Sequence, residues 1–225
     1  MKFGVLQFPG SCDEVDAVQA ATRVGEAELI WHGDRDLKGA DAIVVPGGFS
    51  YGDYLRAGAI ARFAPAMESV IEFAREGGPV LGICNGFQVL CEAHLLPGAL
   101  LVNANRRFTF RQLQLEVVNA DTMFTRACVE GERLSIPAKH AWGRYYADEP
   151  TLRAMRERGQ VLLRYAAGQN FNGSLQDIAG VCNEAGNVFG LMPHPEHAVD
   201  RLTGGSADGL KIFESLRLAV EGVGA

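Results

Sequence analysis

Cys84 stands in Gly82-Ile-Cys84-Asn-Gly86, directly after the apolar run Pro79-Val-Leu81. This is the cysteine form of a Gly-x-nucleophile-x-Gly elbow: a buried strand ends, the chain bends, and a helix begins with the nucleophile at the bend. The bend forces unusual backbone angles on the nucleophile, and side chains at the flanking positions would crowd it, so glycine stands on both sides. A helix N-terminus offers unpaired N–H groups and partial positive charge, which favour thiolate over thiol. The N–H of Asn85 is placed where an oxyanion would form. Far downstream, Pro193-His194-Pro195-Glu196 sets an imidazole and a carboxylate two residues apart. The two prolines stiffen the backbone around His194. Glu196 could accept the second ring N–H and fix the tautomer, giving a nucleophile–base–carboxylate set in the order Cys84, His194, Glu196. A structural cysteine in a glycine-rich turn carries the same five-residue pattern, so the chemistry requires the two segments to meet in space.

Two further segments bear on that chemistry. In Pro46-Gly47-Gly48-Phe49-Ser50-Tyr51-Gly52 the paired glycines leave backbone N–H groups open to a bound carbonyl, a second oxyanion donor at Gly48 beside that of Asn85. A plain strand-to-helix turn would read the same way. Gln88 lies one helical turn after Cys84 and faces the same cleft, as a substrate contact or as an ordinary helix residue. His32, His94, His140 and His197 read as structural. Cys91 reads as core, and Cys12, Cys128 and Cys182 have no catalytic company. The five cysteines include no Cys-x-x-Cys pair, so neither a metal site nor a disulfide framework is expected. No phosphate-cradling Gly-x-x-x-x-Gly-Lys-Ser/Thr loop and no Gly-x-Gly-x-x-Gly after a strand is present, so this chain is expected to carry no cofactor of its own.

These residues need a scaffold, and the sequence supplies one. The 225 residues are 48% hydrophobic and 21% charged, the composition of a globular chain and enough for one sizeable domain, 1–225. The net charge of −6 argues against nucleic acid or an anionic membrane as the main partner, and no apolar stretch approaches a membrane span. The N-terminus reads as a first strand rather than a secretory signal, and a cytoplasmic location is expected. Strands are predicted at Lys2 to Phe8, Glu28 to Trp31, Ala42 to Val45 and Val80 to Ile83. Helices are predicted at Asp13 to Val24, with Ser11 or Asp13 as N-cap, at Pro65 to Arg75 and at Phe87 to Leu96. This alternation implies a doubly wound, mostly parallel sheet. The second half reads as short antiparallel strands: Phe108 to Val118, Leu134 to Ile136, Val161 to Tyr165, Ile178 to Cys182 and Val188 to Met192. Asn172-Gly173 and Asn183 to Asn187 read as hairpin connections, and Asp208 to Val220 as a closing helix. The predicted class is an α/β chain whose parallel sheet runs on into an antiparallel edge. Ligands bind such sheets beyond the carboxyl ends of the strands, where the Gly47, Cys84 and His194 segments all fall.

The assembled motifs resemble the class I (triad-type) glutamine amidotransferases, whose fold is a flavodoxin-like doubly wound sheet. Pro9-Gly-Ser11, Gly82-Ile-Cys-Asn-Gly-Phe-Gln88, Leu96-Pro-Gly-Ala-Leu100 and Gly186 to Glu196 carry the likeness. Within the family, the run Pro46-Gly-Gly-Phe-Ser-Tyr-Gly-Asp-Tyr-Leu-Arg-Ala-Gly58 is similar to the glutaminase subunits of phosphoribosylformylglycinamidine synthase, an enzyme of purine (IMP) biosynthesis. The resemblance implies that Cys84 attacks the side-chain amide of glutamine, that His194 and Glu196 manage protons, and that the Gly48 and Asn85 N–H groups hold the oxyanion. It implies a glutamine site at Gln88, Gly47, Phe49 and Ser50. It further implies a separate large synthetase subunit (PurL type) that uses ATP and Mg2+, and in some members a small third subunit (PurS type). Three positions depart from the family pattern as expected here: His197 in place of arginine, Phe171 in place of proline, and Trp142 in place of glutamate. Competing expectations are the glutaminase of another synthetase, a thiol hydrolase on the same fold, or a non-catalytic binding module. The first is disfavoured by the Phe49 to Gly58 run, the second by Asn85 where such hydrolases commonly place histidine, and the third by the complete Cys84, His194, Glu196 set.

Overall fold

The computed structural model describes residues 1–222. Strands β1 (Lys2–Gln7), β2 (Glu26–Trp31), β3 (Ala42–Val45), β4 (Val80–Ile83) and β11 (Val188–Leu191) pair in parallel. Every residue of β3, β4 and β11 is buried, as expected of central parallel strands covered on both faces. The sheet then continues antiparallel through β10 (Ile178–Cys182), β9 (Val161–Tyr165), β6 (Thr109–Val117) and β7 (Arg133–His140). These nine strands lie in the order β2-β1-β3-β4-β11-β10-β9-β6-β7. A small separate ladder joins β5 (Ala99–Leu101) to β8 (Arg144–Tyr146). Thus the predicted parallel sheet with an antiparallel edge is the observed architecture.

The helices follow from the same patterns. In α2 (Pro65–Arg75), Pro65 occupies the first turn, and Ala66, Met67, Val70 and Ala74 form the buried stripe. Helix α1 (Glu14–Ala21) buries Ala17, Ala20 and Ala21. Neither proposed cap serves it. Asp13 occupies the N-cap position, but its side chain makes no capping bond because Lys139 and His197 take the carboxylate. The Ser11 hydroxyl accepts from the Phe8 N–H instead. Helix α5 (Leu210–Val220) closes the described chain, with Phe213 packed edge-on against Phe3. No helix among the described residues is long and apolar enough to cross a membrane.

Other boundaries move for identifiable reasons. Helix α3 (Asn85–Glu92) begins and ends earlier than the apolar spacing indicates, because Cys84 is its cap and His94 takes a left-handed φ of 57°. Strand β7 runs well beyond Leu134 to Ile136. Pro137 argues against a long strand in the sequence, but β7 is an edge strand, where proline is tolerated. The Asn172-Gly173 pair is not a tight hairpin. It lies in the long connection from β9 to β10, with Asn172 fully buried and donating to Gly143 O (2.8 Å) and to the Tyr165 hydroxyl (3.1 Å). Helix α4 (Glu149–Glu157) and strands β5 and β8 have no counterpart among the elements predicted from the sequence.

Candidate active site

Three adjacent parallel strands deliver the three predicted segments to one place. The carboxyl end of β3 leads into Pro46-Gly47-Gly48, that of β4 into Cys84, and that of β11 into Pro193-His194. The neighbouring β1 leads into the loop ending at Asp13. Gly48, Cys84, His194 and Asp13 all line one cavity of about 180 Å³, with Phe49, Gln88, Lys139 and Trp142 also in its wall. That volume suits a small molecule rather than a polymer.

The elbow has its expected strain. Cys84 sits at φ 50°, ψ −103°, outside the regions a non-glycine residue normally occupies. Its N–H is tied to Leu191 O at 2.8 Å, which fixes the bend against β11. The flanking glycines are required by contact. A Cβ on Gly86 would overlap the Val45 carbonyl oxygen, and one on Gly82 would lie 2.9 Å from the Gly86 backbone. The thiol is nearly buried, with its sulfur 3.9 Å from Lys139 O.

His194 is 1% exposed, and its Nδ1 is 2.6 Å from Glu196 Oε1. Its backbone N–H donates to Pro137 O at 2.8 Å, pinning the loop to β7. The bond to Glu196 occupies Nδ1, while Nε2 is buried without a hydrogen-bond partner on the protein. Burial opposes a charge on this ring, but Glu196 and the Cys84 sulfur outweigh it and raise its pKa to about 10. The ring is therefore held as an imidazolium, the form that can protonate a leaving group.

Gly48 has φ +141°, and a Cβ there would lie 2.6 Å from Cys12 N and 2.8 Å from Gly10 O. The Pro9–Cys12 loop clasps this residue through Cys12 N to Gly47 O (3.2 Å) and Phe49 N to Gly10 O (2.8 Å). Gly48's own N–H makes no hydrogen bond among the described residues. The N–H of Asn85 belongs to the first turn of α3, where no intrahelical acceptor exists. The Asn85 side chain is committed elsewhere: Oδ1 accepts from Ser50 N (3.0 Å), and Nδ2 donates to Gln88 Oε1 (2.8 Å) and Asp53 Oδ1 (3.1 Å). Gln88 Nε2 donates to Trp142 O. Gly47 and Ser50 lie behind the cavity wall, where they hold the loop rather than face the cavity.

Several residues in or around the site carry no local signal that would single them out. Asp13 is buried and accepts from Lys139 Nζ (2.5 Å) and His197 Nε2 (3.1 Å). Its burial would raise its pKa, but the His197 hydrogen bond, the His194 charge and Lys139 hold it well below the usual carboxylate range. Asp13, His194, Glu196 and His197 bring four ligand-type atoms within 4.8 Å of one another. The Lys139 ammonium sits on Asp13 and the His194–Glu196 hydrogen bond joins the other pair, so the group is linked as an ion-pair network. His140 is buried, held by Asn103 Oδ1 at 3.0 Å and packed on Phe171, with ring centroids 5.1 Å apart. Burial and the nearby His194 charge lower its pKa to about 3, so it is neutral. Its neighbour Trp142 stands at the cavity rim, 42% exposed.

Residues 1–215 match the CobB/CobQ-like glutamine amidotransferase domain. A phosphoribosylformylglycinamidine synthase subunit PurQ of Rubrobacter xylanophilus is 58% identical over 217 residues, 96% of this chain and 97% of that one. The protein of the same name from Mycobacterium tuberculosis is 56% identical over 220 residues, 97% of each chain. Among solved structures, a chain of PurLQS from Thermotoga maritima superposes with a TM-score of 0.87 at 43% identity, covering 96% of both chains. A glutamine amidotransferase of the same organism, at 16% identity, 98% and 97% coverage and a TM-score of 0.60, shares the fold.

Proposed function

The chain belongs to the CobB/CobQ-like glutamine amidotransferase family, and from that premise we propose that it is the glutaminase subunit of phosphoribosylformylglycinamidine synthase, releasing ammonia from glutamine for a separate synthetase. The single observation that carries this reading is the convergence of the strained Cys84 elbow and His194, itself bonded to Glu196, on one small cavity.

The sulfur of Cys84 attacks the glutamine side-chain amide carbon, and the C=O electron pair moves onto oxygen. The uncommitted N–H of Gly48 and the first-turn N–H of Asn85 receive that oxyanion. Loss of one such donor costs about 10²–10³ in kcat. His194, kept protonated beside Glu196, donates its Nε2 proton to the leaving nitrogen as the tetrahedral adduct collapses. Ammonia departs and a γ-glutamyl thioester remains on Cys84. The now neutral imidazole takes a proton from water, which attacks the thioester, and glutamate leaves with the thiolate restored. Gln88 and Phe49 contact the substrate at the cavity wall, and Trp142 covers its rim. The roles of Gly47 and Ser50 are carried through the loop they support.

This chemistry draws on the chain's own side chains and backbone N–H groups, with water as the second nucleophile. ATP and Mg2+ serve the synthetase that consumes the ammonia. The partners are of PurL type and PurS type, consistent with the composition of the Thermotoga maritima assembly named PurLQS, and the site of action is the cytoplasm. The test uses the complex reconstituted with those partners. Cys84→Ser is expected to abolish glutamine-dependent synthesis while ammonia-dependent synthesis persists. Loss of both activities would show Cys84 to be structural and would defeat the proposal.

A further inference from the structure

The mechanism above makes no use of Asp13, although this carboxylate is among the best-buried charges in the molecule, at 3% exposure. Its Oδ2 lies 3.7 Å from His194 Nδ1, the same ring nitrogen that Glu196 holds at 2.6 Å. Its Oδ1 accepts from Lys139 Nζ at 2.5 Å and from His197 Nε2 at 3.1 Å. The Nδ1 edge of His194 therefore faces two carboxylates, one directly bonded and one offset. Glycine at position 47 permits this approach. A Cβ there would overlap the Asp13 carboxylate and lie 2.9 Å from His194 Cε1.

Charge balance gives the arrangement a purpose. Buried carboxylates require compensation. Lys139 cancels one of the two negative charges, leaving the other for the imidazolium. Burial disfavours the Lys139 charge, but the Asp13 hydrogen bond and charge, with Glu196 and Cys84, raise its pKa, so the ammonium persists. The charged or titratable groups facing His194 are Glu196, Cys84, Asp13, His197 and Lys139, with the neutral His140 beyond.

We propose that Asp13 is a second positioning carboxylate of the His194 imidazole, stabilising its protonated form during ammonia release, and that Lys139 sets how much of that charge the ring feels. The inference rests on the glutaminase reading.

A structural role and an electrostatic role give opposite patterns in a pair of variants. Asp13→Asn and Lys139→Met both break the same Asp13–Lys139 contact, so both lower thermal stability. Their electrostatic effects have opposite sign. Removing the carboxylate charge eases deprotonation of the groups it faces, His194 first, and both limbs of the kcat–pH profile move to lower pH. Removing the ammonium moves both limbs to higher pH. The expected size is on the order of one pH unit, the low end for a charge within ~4–6 Å, because Lys139 and His197 share the carboxylate. The double variant returns the limbs toward wild type.

The experiment measures kcat for glutamine hydrolysis against pH in the assembled complex, with ammonia-dependent synthesis as the check on assembly. Opposite displacements of the profile in the two variants support the proposal; a profile unmoved in both, or displaced the same way in both, overturns it. Where Asp13→Asn does not assemble, Lys139→Met decides alone, an upward displacement supporting the proposal and an unmoved profile overturning it. A wild-type complex that releases no glutamate from glutamine overturns the glutaminase reading itself, and this inference with it.

Discussion

Gly86→Ala tests how closely the elbow depends on backbone contact. The added methyl group would overlap the Val45 carbonyl oxygen and lie 3.1 Å from Val45 Cβ. To restore normal separations, the start of α3 must retreat from the end of β3 by roughly an ångström. Overpacking of this kind costs about 1–3 kcal/mol. At this chain length each kcal/mol lowers Tm by about 2–4 °C, so the expected loss is about 2–12 °C. The catalytic effect is larger in proportion. Val45 leads directly into Pro46-Gly47-Gly48, and α3 carries Cys84 and Asn85 at its start. The retreat therefore parts the nucleophile and one oxyanion donor from the other. A misplacement near 1 Å costs about 100-fold in rate, equivalent to about 2.7 kcal/mol of barrier. Glutamate release by the complex, measured at saturating glutamine, is expected to fall by that factor while ammonia-dependent synthesis is retained. A variant with kcat within twofold of wild type and an unchanged Tm would refute the contact argument.

Glu196→Gln removes the charge bonded to His194 Nδ1 and is expected to lower kcat by on the order of 10²–10⁴, moving the alkaline limb of the profile to lower pH; an unchanged limb would remove Glu196 from the account. Stability should also depend on pH at both extremes. Asp13 has a depressed pKa in the fold, so its contribution is present above the ordinary value of 3.8 and is lost as pH falls through the carboxylate range. His194 has a raised pKa, so its contribution is complete below 6.5 and is lost as pH rises through about 10. Urea midpoints across pH read both, and a midpoint that climbs from pH 7 to 10 contradicts the His194 assignment. Burial pushes the Cys128 thiol up to about 12 and the Cys182 thiol up to about 11, and Cys91 higher still. Iodoacetamide at neutral pH should therefore modify Cys84 before any of these three, as mass spectrometry of the peptides would show.

The parts of the fold that the sequence made legible are those with a local signature. Strands β3, β4 and β11 announce themselves as short apolar runs that end in turn residues. The elbow is legible because Gly82 and Gly86 answer a steric demand that other residues cannot meet. Helix α4 is the instructive miss. Only Leu152 and Met155 bury on it, so its apolar stripe is thin. Yet Asp148 accepts from Thr151 N–H as a cap, and Pro150 sits in the first turn, both legible start signals. Strands β5 and β8 are three residues each and pair only with one another, too short for a period to show. In the site, His194 and Glu196 are two residues apart and could be read together. Asp13 could not, because its partners Lys139 and His197 lie 126 and 184 residues away. Its position before α1 suggested a cap, the local reading that a distant ion pair overrode.

The central claim is that Cys84 becomes the acylated nucleophile beside His194. The most direct measurement is covalent trapping of the assembled complex with a diazoketone analogue of glutamine, followed by peptide mass spectrometry. The account predicts one adduct per chain on the Cys84 peptide, slowed by glutamine and slowed strongly in a His194→Asn variant. An adduct on Cys12, or no adduct in a complex that still turns over glutamine, would contradict it.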